Sequence, residues 1–234
     1  MQARTRRKCA LIVGASRGLG LGLVREYLAR GWDVIATARD EKGDAALAAL
    51  AAAQPSRLSV LRMDVTMPAD IAAAMSCLGP ERLDVLFVNA GISGDPDAAV
   101  ETVSEEDFAF VMRTNAHAPL EVVSGLLSAV KTEGTVAVMS SNMGSVSGNH
   151  GMGWELYRAS KAALNQLMRS FHARQADRRT YLVVSPGWVR TDMGGSDAPL
   201  SVEESVRGMI ETLDLRRGRA GIDFVDYANR DVPW

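Results

Sequence analysis

The sequence predicts a doubly wound α/β fold in a single domain over residues 1–234, one parallel sheet with helices on both faces. Three observations predict it. Short β-branched runs alternate with longer amphipathic ones. The short runs are apolar almost throughout, as strands covered on both faces are. The connections between them are short, which suits strand–helix–strand crossovers.

Strands are expected at Cys9–Val13, Asp33–Ala38, Leu58–Met63, Leu83–Val88, Thr135–Ser140 and Thr180–Ser185. Helices are expected at Leu19–Arg30, Asp44–Ala53, Pro68–Leu78, Ser104–Lys131, Glu155–Ala176 and Ser201–Leu213. Thr66 with Pro68 marks one helix start, and Ser201-Val-Glu-Glu204 has the spacing of a capping box, which satisfies two orphan backbone donors. Gly31 and Gly79 follow helix ends, where a left-handed residue is often required. Such folds bind ligands outside the carboxyl ends of their strands, so the loops there carry the functional reading.

Composition bounds the partners. With 47% apolar and 23% charged residues the chain reads as globular. Its 26 basic and 28 acidic residues give a net charge of −2, without the basic surplus of a nucleic-acid groove. The apolar runs Cys9–Ala15 and Leu83–Val88 fall short of the ~18 residues a membrane helix needs. Residues 1–7 read as a flexible tail. Arg4, Arg6, Arg7 and Lys8 are basic, but Gly14-Ala15-Ser16-Arg17 interrupts the run a signal peptide would continue. Cys9 and Cys77 have no CxxC spacing, and His117, His150 and His172 form no ligand pair. The expectation is a cytoplasmic, metal-free protein.

The first strand enters Gly14-Ala15-Ser16-Arg17-Gly18-Leu19-Gly20, a GxxxGxG turn opening a helix. Such a turn lets backbone N–H groups and the helix dipole face a pyrophosphate. Arg17 lies inside it. Arg39 follows the second strand, where the adenosine ribose of a dinucleotide would lie. An acidic residue there favours NAD, whereas arginine accommodates the 2′-phosphate of NADP and grips it bidentately. Asp40 follows directly. NADP(H) is favoured over NAD(H).

Tyr157-Arg-Ala-Ser-Lys161 opens a predicted helix, which puts its ends on one face. A tyrosine with a pKa near ~10 becomes an acid/base catalyst when an ammonium beside it stabilises the phenolate. Ser140-Ser141 ends the preceding strand, and Asn89-Ala90-Gly91 ends the fourth. Asn115, a poor helix former, interrupts a helical region, as a kink or as a polar group held for a purpose. Pro186-Gly187 and Thr191-Asp192 follow the sixth strand. Five polar or glycine-rich loops thus share one edge of the sheet.

These residues together resemble the short-chain dehydrogenase/reductase family in its shorter branch, over essentially the whole chain from Lys8. The nearer likeness is to the C-factor and sniffer-type carbonyl reductases. It rests on Ser-Ser-Asn-Met-Gly-Ser at 140–145, Tyr-Arg-Ala-Ser-Lys at 157–161 and Pro-Gly-Trp-Val-Arg-Thr-Asp-Met at 186–193. The resemblance implies a Rossmann-type sheet and hydride transfer between a nicotinamide and a carbonyl or alcohol. It makes Tyr157 the general acid/base. Lys161 would lower the Tyr157 pKa and hold the nicotinamide ribose, Ser141 would bind the substrate oxygen, and Asn115 would hold a water linking Lys161 to solvent.

The cofactor set is Gly14, Ser16, Gly18, Leu19 and Gly20 of the glycine turn, Arg17 and Arg39 as the two arginines that favour a 2′-phosphate, and Asp64, which matches the family's adenine-contacting aspartate, with Val65 beside it. Asn89, Ala90 and Gly91 lie beside the cofactor. Tyr157, Lys161, Pro186, Gly187, Val189 and Thr191 serve the nicotinamide end. Val13 and Val88 depart from the usual threonine and asparagine. The 16-residue step from Ser141 to Tyr157 is longer than is common, which leaves Ser140 as an alternative to Ser141.

The segments placed to meet substrate offer Met143, Trp154, Trp188 and Met193, with Val146, Met152 and His150 nearby. That lining suits a small to medium apolar carbonyl or alcohol. An NAD(P)-binding signalling protein with little turnover is the competing reading. Helices Ser104–Lys131 and Glu155–Ala176 resemble those of a family dimer interface, so a homodimer or homotetramer is expected. The last residues, Asp-Val-Pro-Trp234, either dock on a neighbour or fold back.

Overall fold

The computed structural model describes residues 7–39, 41–175 and 177–234, with the side chains of all but 41–44 among them. Residues 1–6 of the expected tail, Asp40 and Ala176 lie outside the described residues. The chain builds β1 (Cys9–Val13), α1 (Gly18–Ala29), β2 (Asp33–Ala38), α2 (Glu41–Ala53), β3 (Leu58–Arg62), α3 (Pro68–Leu78) and β4 (Leu83–Val88). Then follow α4 (Glu105–Met112), α5 (Ala118–Leu126), β5 (Val130–Met139), α6 (Glu155–Gln175), β6 (Thr180–Ser185), α7 (Val202–Arg216) and β7 (Gly221–Asp226).

The strands form one sheet in the order β3-β2-β1-β4-β5-β6-β7, with every neighbouring pair parallel. Strand order reverses between β1 and β4, which opens a crevice at their carboxyl ends. Alternation along β1 explains why it is apolar throughout. Leu11 and Val13 join Ile71, Val122 and Leu164 in one core, while Ala10 and Ile12 join Leu23, Leu47 and Met209 in the other. Helices α3, α5 and α6 cover the first face; α1, α2 and α7 cover the second.

The expected elements are largely present, with informative differences. β7 was not anticipated: it is an edge strand interrupted by Asp223, following the charged stretch Arg216-Arg217-Gly218-Arg219. β3 stops at Arg62, short of Met63. β5 begins at Val130 rather than Thr135, because Val130 already pairs with Leu83 before a register shift to Val85 and Thr135. Thr66 does not cap α3. The cap is Met67, with Pro68 in the first turn, and the Thr66 N–H and hydroxyl instead donate to Asp64 Oδ1 at 2.8 and 2.7 Å. Ser201 and Glu204 do form both bonds of a capping box.

The helix expected over 104–131 is broken. A π-helical turn, Arg113–His117, separates α4 from α5, and a 3₁₀ turn at Leu127–Ala129 ends the run. Pro119, four residues after Asn115, has no N–H to close an α-helical bond to the Asn115 carbonyl, so the helix widens there and Asn115 turns fully inward. Among the described residues no helix is long and apolar enough to cross a membrane.

The chain's last residues fold back. Trp234 packs on Phe224 with ring centres 5.5 Å apart.

Candidate active site

β1 runs into a turn that only small residues make. Gly14 adopts φ +81°, and a Cβ there would lie 2.9 Å from Ala90. A Cβ on Gly20 would lie 2.1 Å from the Gly14 carbonyl oxygen, so the first turn of α1 is pressed onto the loop before it. Ala15 N–H donates to Thr37 O at 2.8 Å, Gly14 N–H to Thr37 Oγ1 at 3.1 Å, and Asn89 Nδ2 to Gly14 O at 2.7 Å. Arg17 makes no side-chain cap on α1, and no acidic residue stands in the first turn. The leading N–H groups and the positive end of the helix dipole are therefore placed to face an anion. This cradle, which side chains would fill, fits the diphosphate of a dinucleotide.

Cations surround it. Arg17 pairs with Asp192 at 2.7 Å, both side chains about four-fifths exposed (80% and 79%), and the pair bridges the glycine turn to the loop after β6. Arg39 is exposed just beyond β2, and its carbonyl accepts from Arg62 Nε at 3.4 Å. Sequence reasoning missed Arg62. Its place opposite Ala38 in the parallel register puts a further guanidinium at this corner. Asp64 is fixed twice over: its carboxylate holds Thr66, and its N–H donates to Asp70 Oδ2 at 2.9 Å. Val65 beside it is buried.

The end of the site that holds Tyr157 and Lys161 is built from α6, the π-turn and the end of β5. Asn115 clasps Ile92, accepting from its N–H at 2.8 Å and donating to its carbonyl at 2.7 Å. It also donates to Ser160 Oγ at 3.0 Å, and Ser160 in turn donates to the Tyr157 carbonyl at 2.7 Å. Lys161 is buried, donates to the Met139 carbonyl at 3.0 Å, and lies 5.6 Å from the Tyr157 ring centre. A Cβ on Gly91 would sit 3.3 Å from Lys161 Nζ, so the Asn89-Ala90-Gly91 loop abuts the same group.

The adjacent serines divide. Ser140 is buried and donates to Asn165 Oδ1 at 2.7 Å, and Asn165 Nδ2 donates on to Gly144 O at 3.1 Å. Ser141 is half-buried, accepts from Met143 N–H at 3.1 Å, and its hydroxyl lies beside the Tyr157 phenol, where it opposes the upward push of burial. The geometry thus favours Ser141 over Ser140 at the reacting end. Ser160 and Asn165 are supporting residues the sequence reading did not single out. Both fall on the inner face of α6 beside Tyr157 and Lys161, which is the signal that could have found them.

Burial dominates the titration of this pair. It pushes the Tyr157 phenol up to about 12, against the opposing pull of the Ser141 hydrogen bond. It brings Lys161 down to about 8. The Lys161 ammonium donates to the Met139 carbonyl rather than to the phenol, and burial is the larger influence on Tyr157 in this structure.

The remaining expected residues lie on two loops at the same sheet edge. Trp154 packs edge-on to Tyr157 with ring centres 5.6 Å apart, in a left-handed backbone (φ +57°) that is strained for a tryptophan. The loop after β6 closes on itself. Val189 bridges Leu200, Trp188 Nε1 donates to Gly194 O at 2.8 Å, and Gly194 N–H donates to Thr191 Oγ1 at 3.1 Å. Pro186 is fixed by a bond from Ser205 Oγ to its carbonyl at 2.7 Å, and Gly187 follows it at φ +79°. Trp188 and Met193 are exposed on this loop, as are Val146 and Met152 on the other.

Comparison with known proteins agrees with this architecture. The short chain dehydrogenase family matches residues 8–199. The chain belongs to that family, and its class is that of an oxidoreductase. It is 40% identical over 161 residues to C-signal of Myxococcus xanthus, across 68% of this chain and 95% of that one. A Burkholderia multivorans protein solved with bound NADP superposes with a TM-score of 0.95 at 47% identity, covering 98% of this chain and all (100%) of that one. A carbonyl reductase from Pseudomonas aeruginosa PAO1 in complex with NADP gives 0.91 at 42% identity, covering 98% and 100%.

Proposed function

We propose that the chain transfers a hydride between NADP(H) and a small to medium apolar carbonyl or alcohol, with Tyr157 as the general acid/base. The observation that carries the reading is that Ser141 and Lys161 flank one phenol while Asn115, through Ser160, holds the Tyr157 backbone carbonyl. The NADP-bound relatives support the choice of cofactor, and the carbonyl reductase among them supports the substrate class.

Gly14, Ser16, Gly18, Leu19 and Gly20 would hold the diphosphate, Arg17 and Arg39 the 2′-phosphate, and Asp64 with Val65 the adenine. Asn89, Ala90, Gly91, Pro186, Gly187, Val189 and Thr191 would frame the nicotinamide end. Met143, Trp154, Trp188 and Met193 would line the substrate. When bound, the reduced cofactor supplies the hydride that reaches the carbonyl carbon. Tyr157 gives its phenolic proton to the oxygen as the carbonyl π bond opens, and Ser141 donates a hydrogen bond to that oxygen. The Lys161 ammonium stabilises the phenolate left behind, and Asn115 holds the water through which it is reprotonated.

The test is oxidation of NADPH and NADH, in parallel, with a panel of aromatic and aliphatic ketones, aldehydes and diketones, wild type beside Tyr157→Phe. NADPH turnover that the variant abolishes is expected. Turnover that survives in Tyr157→Phe would remove tyrosine from the role. The likeness to C-signal favours a second reading, a nucleotide-binding signalling protein. Tight NADPH binding with no turnover across the panel would support it.

The assembly proposed is a homodimer or homotetramer through α4, α5 and α6, on which Phe108, Phe110 and Leu167 are exposed. A dilution-independent monomer in analytical ultracentrifugation would overturn it. No nucleic-acid or membrane partner is proposed.

A further inference from the structure

The segment after β7 does more than end the sheet. Asp226 accepts from the N–H groups of Ala228 and Arg230, each at 2.9 Å, and turns the chain back on itself. From α7, Arg216 grips Asn229 Oδ1 at 2.7 Å and Asp231 at 2.8 Å. Val225 then bridges Asp231 in antiparallel register, and Val232 N–H donates to Phe224 O at 2.8 Å. This return path delivers Trp234 to one place. Its ring meets Phe224 and lies under the Arg169 guanidinium of α6, 4.8 Å away.

There the Trp234 backbone oxygen accepts two hydrogen bonds from Ser147, from its hydroxyl at 3.1 Å and its N–H at 3.4 Å. Ser147 lies in the loop that joins Ser141 to Tyr157. The far end of the same loop is held by Arg158, which donates to Asn149 Oδ1 at 3.1 Å and to Gly153 O at 2.9 Å. Trp154 N–H is tied to Pro96 O at 2.8 Å. Along the loop stand exposed residues, Val146 at 73% and Met152 at 96%, so apolar burial does little to hold it. Its position depends on its hydrogen bonds.

We infer that Trp234 is a positioning residue for the substrate: through Ser147 it fixes the 145–154 loop, and so sets how Ser141 and Trp154 face the carbonyl compound at Tyr157. The residue acts through the loop and touches no reacting atom. Its effect on substrate rests on the reductase reading above; its effect on the loop does not. With one end released, a segment held by few buried contacts opens more often. Each lost bond of this kind changes an opening equilibrium by about three- to tenfold.

The test compares the full-length wild type with Trp234→Ala, Trp234→Phe, Ser147→Ala and the Trp234→Ala/Ser147→Ala double variant. Amide hydrogen exchange over residues 145–154 is the primary readout. Trp234→Ala and Ser147→Ala are each expected to speed exchange there by about tenfold, with the double variant adding little to Trp234→Ala alone. Trp234→Phe, which keeps a ring between Arg169 and Phe224, is expected to restore most of the protection. With NADPH and benzaldehyde as probe, KM rises several-fold, kcat changes less, and NADPH affinity stays at the wild-type value.

Unchanged exchange in 145–154 for Ser147→Ala, or a Trp234→Ala whose only change is a lower melting temperature, would overturn the inference. A wild type that reduces no carbonyl compound would defeat the reductase reading instead, and the exchange comparison would still decide the anchor.

Discussion

Lys161 and Tyr157 sit one helical turn apart with the ammonium 5.6 Å from the phenol ring, yet the lysine spends its hydrogen bond on the Met139 carbonyl. A buried ammonium held by one backbone oxygen weakens the fold. The drop from 10.5 to about 8 corresponds to roughly 3 kcal/mol of destabilisation at neutral pH. Between those two values the unfolded lysine is protonated and the native one is not, so stability rises with pH across that window. Below about 8 the whole penalty is present.

Lys161→Met is therefore expected to be more stable than wild type at pH 7, by about 1–2 kcal/mol once the orphaned Met139 carbonyl is charged against it. Denaturant unfolding at pH 7 and at pH 9.5 should show this advantage shrinking. Turnover should fall by about 100-fold or more. A variant less stable at pH 7, or a gap that does not narrow, would contradict the argument.

The same values predict the pH dependence of carbonyl reduction. Tyr157, held protonated up to about 12, keeps its proton throughout the working range. Lys161, near 8, is the first of the two to lose its proton, and with it the positive charge of the site. In kcat/KM, which reports the free enzyme, activity should hold below pH 8 and decline above it. Lys161→Arg, permanently charged, should move that decline upward by at least a unit, as measured by initial rates from pH 6 to 10. An alkaline limb left in place would mean another group controls it.

Ser140 and Ser141 make a paired test. Removing the Ser140 hydroxyl leaves buried Asn165 Oδ1 without its donor, so Ser140→Ala should lose about 1–3 kcal/mol of stability. Ser141→Ala removes a group that meets the phenol and a half-buried turn bond. It should lower kcat by about 10- to 100-fold with little change in melting temperature. The reverse pattern, stability lost at 141 and turnover at 140, would exchange their roles.

Much of this architecture was legible because the signals were local. β1, β2, β4 and β6 are largely apolar and end in a glycine or polar turn, so periodicity and turn chemistry agreed on their bounds. The break at Asn115 was visible as an oddity, but its cause needed Pro119 and the inward turn of the π-helix to be read together. β7 was not legible, because an edge strand carrying Asp223 after four charged or glycine residues gives no buried-strand pattern. The same limit hid Arg62 and Trp234. Arg62 matters only through its register with Ala38, and Trp234 only after the chain has reversed at Asp226. Pairings across long sequence separation leave no mark in a window of ten residues.

Cofactor preference gives the last prediction. Arg17 is already engaged by Asp192 at 2.7 Å across the crevice, and an exposed pair of this kind is worth at most about 1 kcal/mol. A 2′-phosphate with two negative charges competes for the same guanidinium. Asp192→Asn should therefore tighten NADPH binding, by up to about fivefold, and leave NADH binding unchanged, since only the former presents the competing group. Arg39→Glu acts in the opposite sense. It replaces a charge-assisted hydrogen bond by repulsion at the end of β2, and should lower NADPH affinity relative to NADH by about 10- to 100-fold. Fluorescence titration of both nucleotides measures each ratio. An equal shift for NADPH and NADH in Asp192→Asn would place Arg17 at the diphosphate instead of the 2′-phosphate. A preference unmoved by Arg39→Glu would leave Arg62 as the arginine to substitute at that corner.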